Sequence, residues 1–176
     1  ALQAAVDLCY ARSKNATTDH TEVRDGGRVV TPSGGNCEVH LDGGEYLVSQ
    51  PIITHPFSNF IFGYGSLVAA SNWTAPPEGN FMLQNVGGYQ RYHHFPELLL
   101  DGSHLAGGIR LNDTCAMNIG PGVVIQNFVG VGIHLLQGCE VMVDRSWVAE
   151  LPPNPVQPAA TGILVQGSDH DVTNVV

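Results

Sequence analysis

Gly108-Ile109-Arg110-Leu111-Asn112-Asp113-Thr114-Cys115-Ala116-Met117-Asn118-Ile119 is followed, 24 residues later, by Gly132-Ile133-His134-Leu135-Leu136-Gln137-Gly138-Cys139-Glu140-Val141-Met142-Val143. Glycine, isoleucine, leucine, cysteine and the closing aliphatic residues fall at the same places in both. A third copy starts at Gly162-Ile163-Leu164-Val165 and runs through Gly167 to Val172, displaced by 30 because Leu151-Pro152-Pro153-Asn154-Pro155 is inserted as a side loop. A period in this range, made of short strands and turns, is how stacked coils read in sequence, because each coil buries its apolar face only against the next. The repeat predicts an all-β fold, a right-handed parallel β-helix (solenoid). Ile109, Leu111, Cys115 and Met117 are expected to stack under Ile133, Leu135, Cys139 and Val141 along one inner wall. A sandwich of antiparallel hairpins predicts turns every ~8–12 residues and does not explain matched residues 24 apart.

Working outward, the chain opens on Leu2, Ala5, Val6, Cys9 and Tyr10 at helical spacing, and the polar run Ser13 to Arg28 ends that pattern. Residues 1–14 are therefore read as a helix capping the solenoid, and residues 38–176 as its rungs, within a single domain. Val39-His40-Leu41-Asp42 alternates with period two, Gly43-Gly44 makes a turn, and Tyr46-Leu47-Val48 resumes the extended pattern. Asn59 to Phe62, Leu67 to Ala70, Phe81 to Leu83 and Leu98 to Leu100 follow as further short strands. Residues 89–95 read as an aromatic loop. An open rung exposes unpaired backbone groups, and the extended pattern runs to Val176. The chain is thus expected to continue beyond 176, or to self-associate through an open C-terminal rung.

The formal charge is −9, with Arg12, Lys14, Arg24, Arg28, Arg91, Arg110 and Arg145 scattered. A nucleic-acid surface needs a basic stripe to displace counterions, which excludes that partner. No stretch approaches the roughly 18 apolar residues of a membrane span. Three sequons, at Asn15, Asn72 and Asn112, suggest N-glycosylation and a secretory route. Four cysteines suit an oxidising compartment. Cys115 and Cys139 share a repeat position, close enough for a disulfide of Cα separation ~4.4–6.8 Å or for two stacked thiols; in the bridged case Cys9 and Cys37 form the other pair.

Gly27-Arg28-Val29-Val30 and Val39-His40-Leu41-Asp42-Gly43-Gly44-Glu45-Tyr46-Leu47-Val48-Ser49-Gln50-Pro51-Ile52, after a helix with Ala-x-x-Ala-Ala spacing, resemble the N-terminal portion of pectate-lyase-superfamily (pectin-lyase-like) domains. Thr161-Gly162-Ile163-Leu164-Val165 and Asp171-Val172-Thr173-Asn174-Val175-Val176 are similar to plant proteins related to QUARTET-type polygalacturonases. The resemblance spans nearly the whole chain in fold-forming residues. It implies a secreted, extracellular or cell-wall protein acting on polysaccharide, a polygalacturonase-like glycoside hydrolase or a lyase. The Asn-x-Asp, Asp-Asp, Gly-His-Gly and Arg-x-Lys motifs of such hydrolases are missing. A non-catalytic β-helix for adhesion or filament assembly is the alternative.

Glycoside hydrolysis needs an acid and a second carboxylate about 5 to 9.5 Å apart. Asp169-His170-Asp171 places two acids around a proton shuttle, although its place after Gln166-Gly167-Ser168 favours a polar turn. Arg145 is a candidate for a sugar carboxylate, or a surface partner of Asp144. Tyr92 and His94 are candidates for a sugar platform, or for a loop packed on the solenoid wall. No zinc-ligand spacing occurs and no cofactor is expected, although Asp side chains and loop carbonyls leave room for calcium.

Overall fold

A computed structural model describes residues 1–16, 23–25, 28–30, 36–55, 59–77, 79–85, 90–149, 160–167 and 170–175. The chain opens with α1 (Leu2–Ala16), which ends two residues later than the sequence pattern suggested. An antiparallel pair follows, β1 (Val23–Asp25) with β2 (Arg28–Val30), in register Asp25 to Arg28. The polar composition of this stretch hid both strands.

From Asn36 onward strands recur in sets of three or four. The first set is β3 (Asn36–His40), β4 (Glu45–Val48) and β5 (Ile52–Thr54); the second is β6 (Asn59–Gly63), β7 (Gly65–Ala69) and β8 (Phe81–Asn85). The third holds β9 (Gln90–Arg91), β10 (His93–Phe95), β11 (Leu98–Asp101) and β12 (Gly107–Leu111). Then come β13 (Thr114–Ile119), β14 (Val124–Gln126) and β15 (Val131–Leu135), followed by β16 (Gly138–Ala149), β17 (Thr161–Val165) and β18 (His170–Val175). Every strand after β2 pairs in parallel, with a strand of a neighbouring set or, for β18, with β16. Two parallel sheets result: one of eleven strands, whose two limbs join at β16, and one of five in the order β17-β15-β12-β8-β5. This arrangement is compatible with a parallel β-helix.

The register reproduces the repeat. Ile109 pairs with Ile133, Leu111 with Leu135, Cys115 with Cys139 and Met117 with Val141. The first two pairs belong to the five-stranded sheet and the other two to the eleven-stranded one, so they line two walls and not one. Ile133 pairs with Ile163, an offset of 30, but Val143 pairs with Val172, an offset of 29. The third copy slips by one residue between β17 and β18.

Alternation sends every second side chain inward, and the inward residues form aliphatic ladders. Leu83, Ile109 and Ile133 stack in the five-stranded sheet, Leu67, Leu100 and Ile125 in one limb of the other, and Phe95, Ile119 and Val143 in its second limb. All nine are fully buried, each contributing roughly 1.5–3 kcal/mol of apolar burial. The repeated glycine has a packing cause. A Cβ on Gly132 would meet Val148 Cγ1 at 2.5 Å and the Gly162 carbonyl at 2.7 Å.

The corners turn on left-handed residues. Between β3 and β4 the turn centres on Asp42-Gly43 (φ 49° and 69°), one residue before the glycine pair expected, and Gly44 N–H donates to the Leu41 carbonyl at 2.8 Å. α1 covers the first set. Val6 is fully buried, and the Gln3 side chain both accepts from Ile53 N–H (2.7 Å) and donates to the Ile53 carbonyl (3.0 Å). Cys9 and Cys37 bridge the helix to β3. Among the described residues no helix is long and apolar enough to cross a membrane.

Candidate functional site

The outward residues of the five-stranded sheet form one register column: Ile53 on β5, Gln84 on β8, Arg110 on β12, His134 on β15 and Leu164 on β17. Parallel pairing sets neighbouring members of such a column about 4.8 Å apart. Arg110 and His134 are half-buried, and among the described residues Arg110 has no hydrogen-bond or ion-pair partner.

The buried Phe81 ring lies near both groups. Its centroid is 5.9 Å from that of His134, and a Cβ on Gly79 would touch both the Phe81 ring (3.3 Å) and Arg110 Cδ (3.6 Å). His134 Nε2 donates to Gln166 Oε1 at 2.8 Å. A carbonyl oxygen only accepts, so in the neutral ring Nδ1 is left as an acceptor. A cation, an aromatic face and an imidazole acceptor thus meet on one strip of sheet.

Beside Gln84 the strip opens into a cavity of about 460 Å³, lined by Gln3, Gln50, Pro51, Ile53, Thr74, Pro76 and Gln84. Gln84 is 1% exposed, and neither its side-chain nitrogen nor its oxygen has a partner among the described residues.

The residues singled out from the sequence lie elsewhere. Asp169 is outside the described residues; His170 and Asp171 begin β18, in register with Val141 and Met142. Arg145 lies inside β16, not after a strand end, at a left-handed corner (φ 44°), where its Nε donates to Asp144 at 2.8 Å. That guanidinium is already paired. His94 and its neighbours are strand and not loop: His93 is buried in register with Phe60, ring edge toward ring face, and His94 donates to the Gly120 carbonyl at 2.7 Å. Gly122 N–H donates to the Arg145 carbonyl (3.0 Å), so His94 and Arg145 abut the same corner segment. Tyr92 is 54% exposed at the other end of that strand.

The acids offer little on this strip. Asp101 accepts from Gln126, Asn127 and the Ser103 N–H at 2.8 to 2.9 Å, on the other sheet. Among the described residues no group of three or more His, Cys, Asp or Glu could hold a metal ion. Asn15 lies in the last turn of α1, while Asn72 and Asn112 are exposed outside strands. Cys115 and Cys139 are bridged with Cα atoms 4.5 Å apart.

Sequence reasoning missed Gln84, Arg110 and His134. The signal was present: Arg110 and His134 are the variable residue of Gly-Ile-x-Leu, the side chain that alternation turns away from the inward Ile and Leu.

No protein-family model matches the chain, and comparison with curated proteins and with solved structures also gave no match.

Proposed function

We propose that the chain belongs to a secreted, right-handed parallel β-helix protein of the pectate-lyase-superfamily type, and that it holds an acidic polysaccharide across the outer face of β5-β8-β12-β15-β17. The observation that carries this reading is Arg110, a guanidinium without a partner among the described residues, in register between Gln84 and His134. A guanidinium matches a carboxylate in bidentate geometry. It also supplies what the net charge demands, since a −9 chain attracts a polyanion only where a local cation faces outward. His134 Nδ1 supplies an acceptor for sugar hydroxyls.

Polygalacturonase-like hydrolysis is the proposed chemistry if the chain is active, with Asp169, His170 and Asp171 as its candidate groups. Binding without cleavage is the second reading, favoured by a column that carries no carboxylate among its described members. Calcium does not fit a ligand cluster among the described residues, and no step is routed through it.

Affinity electrophoresis in polygalacturonate and in a neutral glucan tests the reading. Retardation by the acidic polymer alone is expected, weakened about 10- to 100-fold in Arg110→Ala, as for loss of a charge-assisted bond. Equal behaviour in both gels overturns it. Assays for new reducing ends and for unsaturated uronate then separate hydrolase, lyase and non-catalytic binder.

A further inference from the structure

We infer that Gln166 is a positioning residue of the glycan face: it holds His134 in the tautomer that turns a lone pair toward Arg110, and so makes the face select acidic sugars that carry a free hydroxyl near the carboxylate. This rests on the proposed glycan face and adds what that face discriminates.

Gln166 follows β17, and its N–H donates to the Leu135 carbonyl at 2.7 Å, which ties its backbone beside the end of β15. Those strands pair His134 with Leu164. Alternation puts residues two apart on one side of a strand, so Gln166 projects outward with Leu164, diagonal to His134. Its exposed amide reaches back to the ring, and His134 Nε2 donates to Oε1 at 2.8 Å.

A neutral imidazole carries one N–H and can place it on either nitrogen. The bond to Gln166 keeps it on Nε2 and leaves Nδ1 as the acceptor. Because Gln166 meets the ring from the β17 flank and the two ring nitrogens point their bonds apart, Nδ1 turns toward the β12 flank, where Arg110 stands in register. A lone pair on that side is also what the guanidinium favours, since an N–H there would bring two positive ends together. Nδ1 has no partner among the described residues and is not sealed from solvent.

The two groups therefore ask for different chemistry. Arg110 offers only donors and takes a carboxylate. Nδ1 offers only a lone pair and takes an O–H, so a carboxylate oxygen placed there is repelled. An acidic sugar satisfies both at once, with its carboxylate on Arg110 and a hydroxyl about one strand spacing away, roughly 4.8 Å. A carboxylate polymer without hydroxyls satisfies Arg110 alone.

The test uses the whole chain at about pH 8, where histidine carries no charge, in affinity electrophoresis with polygalacturonate and with polyacrylate, a carboxylate polymer that lacks hydroxyls. In Gln166→Leu the ratio of the two affinities is expected to fall about three- to tenfold, the scale of one hydrogen bond, with polyacrylate binding and the melting temperature unchanged. Gln166→Glu, whose carboxylate also accepts from Nε2, should weaken both polymers through its charge and keep the parent ratio. Nitrogen-15 NMR of the imidazole should show the proton on Nε2 in the parent and in Gln166→Glu, and a tautomer mixture in Gln166→Leu, which lost packing alone would not produce. A ratio unchanged in Gln166→Leu, or a parent ring protonated on Nδ1, overturns the role of Gln166 and leaves the face standing. Polygalacturonate held no better than a neutral glucan overturns the face, and the selectivity with it, whatever the tautomer.

Discussion

Gly132 on β15 faces Val148 on β16 so closely that a Cβ there would stand 2.5 Å from Val148 Cγ1, whereas the same addition at Gly162 finds Val148 at 3.9 Å. Two glycines at one repeat position therefore carry different constraints. Gly132→Ala is expected to lower stability by about 1–3 kcal/mol through overpacking, with Gly162→Ala within about 0.5 kcal/mol of the parent. Urea denaturation of both variants checks this; equal losses would show that the repeat glycine serves something other than room for Val148.

The Cys115–Cys139 bridge joins two strands 24 residues apart in sequence. Closing a loop of that size in the unfolded chain is worth about 3 kcal/mol. The double variant Cys115→Ala/Cys139→Ala should lose stability on that scale. A thiol titration of the unfolded, unreduced protein should find no free cysteine, and four would mean that neither bridge forms.

Asp7 has its carboxyl held below its ordinary value of 3.8, first by the hydrogen bond from His55 and then by that from Gln3, against a smaller opposing effect of burial. A depressed carboxyl stabilises the fold above its unfolded value, and the contribution is lost as pH falls through the folded value. The Asp7 side chain is 55% exposed, so the gain is screened to about 0.2–1 kcal/mol. Melting curves of the parent and Asp7→Asn should differ by that much at pH 5 to 6 and converge below about pH 3. A gap that widens toward acid would contradict the assignment.

Asn72 and Asn112 are exposed, and Asn85 clamps the Asn112 backbone, accepting from its N–H at 2.8 Å and donating to its carbonyl. Expression through a eukaryotic secretory pathway should add glycan mass at both, removable by an amidase. Asn72→Gln and Asn112→Gln should each remove one increment. Unmodified protein from such a host would argue against the secretory reading.

The strand repeat was legible because inward residues carry it: glycine, isoleucine and leucine recur wherever they face the same core. The reading failed where an inward place holds a polar residue. His93 packs edge-to-face against Phe60 inside the fold, yet two adjacent histidines break the apolar alternation and look like a loop. The turn before Glu45 was placed one residue late because glycine advertises a left-handed conformation that Asp42 also adopts. The candidate site was hidden differently. Gln84, Arg110 and His134 are unremarkable singly, and become neighbours only through a pairing that spans 26 and then 24 residues.

From the amino-acid sequence alone followed the all-β character, the helix over the first strands, the coil period and the registers of Ile109 with Ile133 and Cys115 with Cys139. These are properties of periodicity, and burial of alternate apolar residues imposes them wherever the chain is extended. Tertiary structure alone decided that, among the described residues, Arg145 is paired while Arg110 is not, and that the Gln84 amide lies buried without a described partner. Pairing and burial belong to what surrounds a side chain, and those surroundings come from strands that the sequence holds far apart.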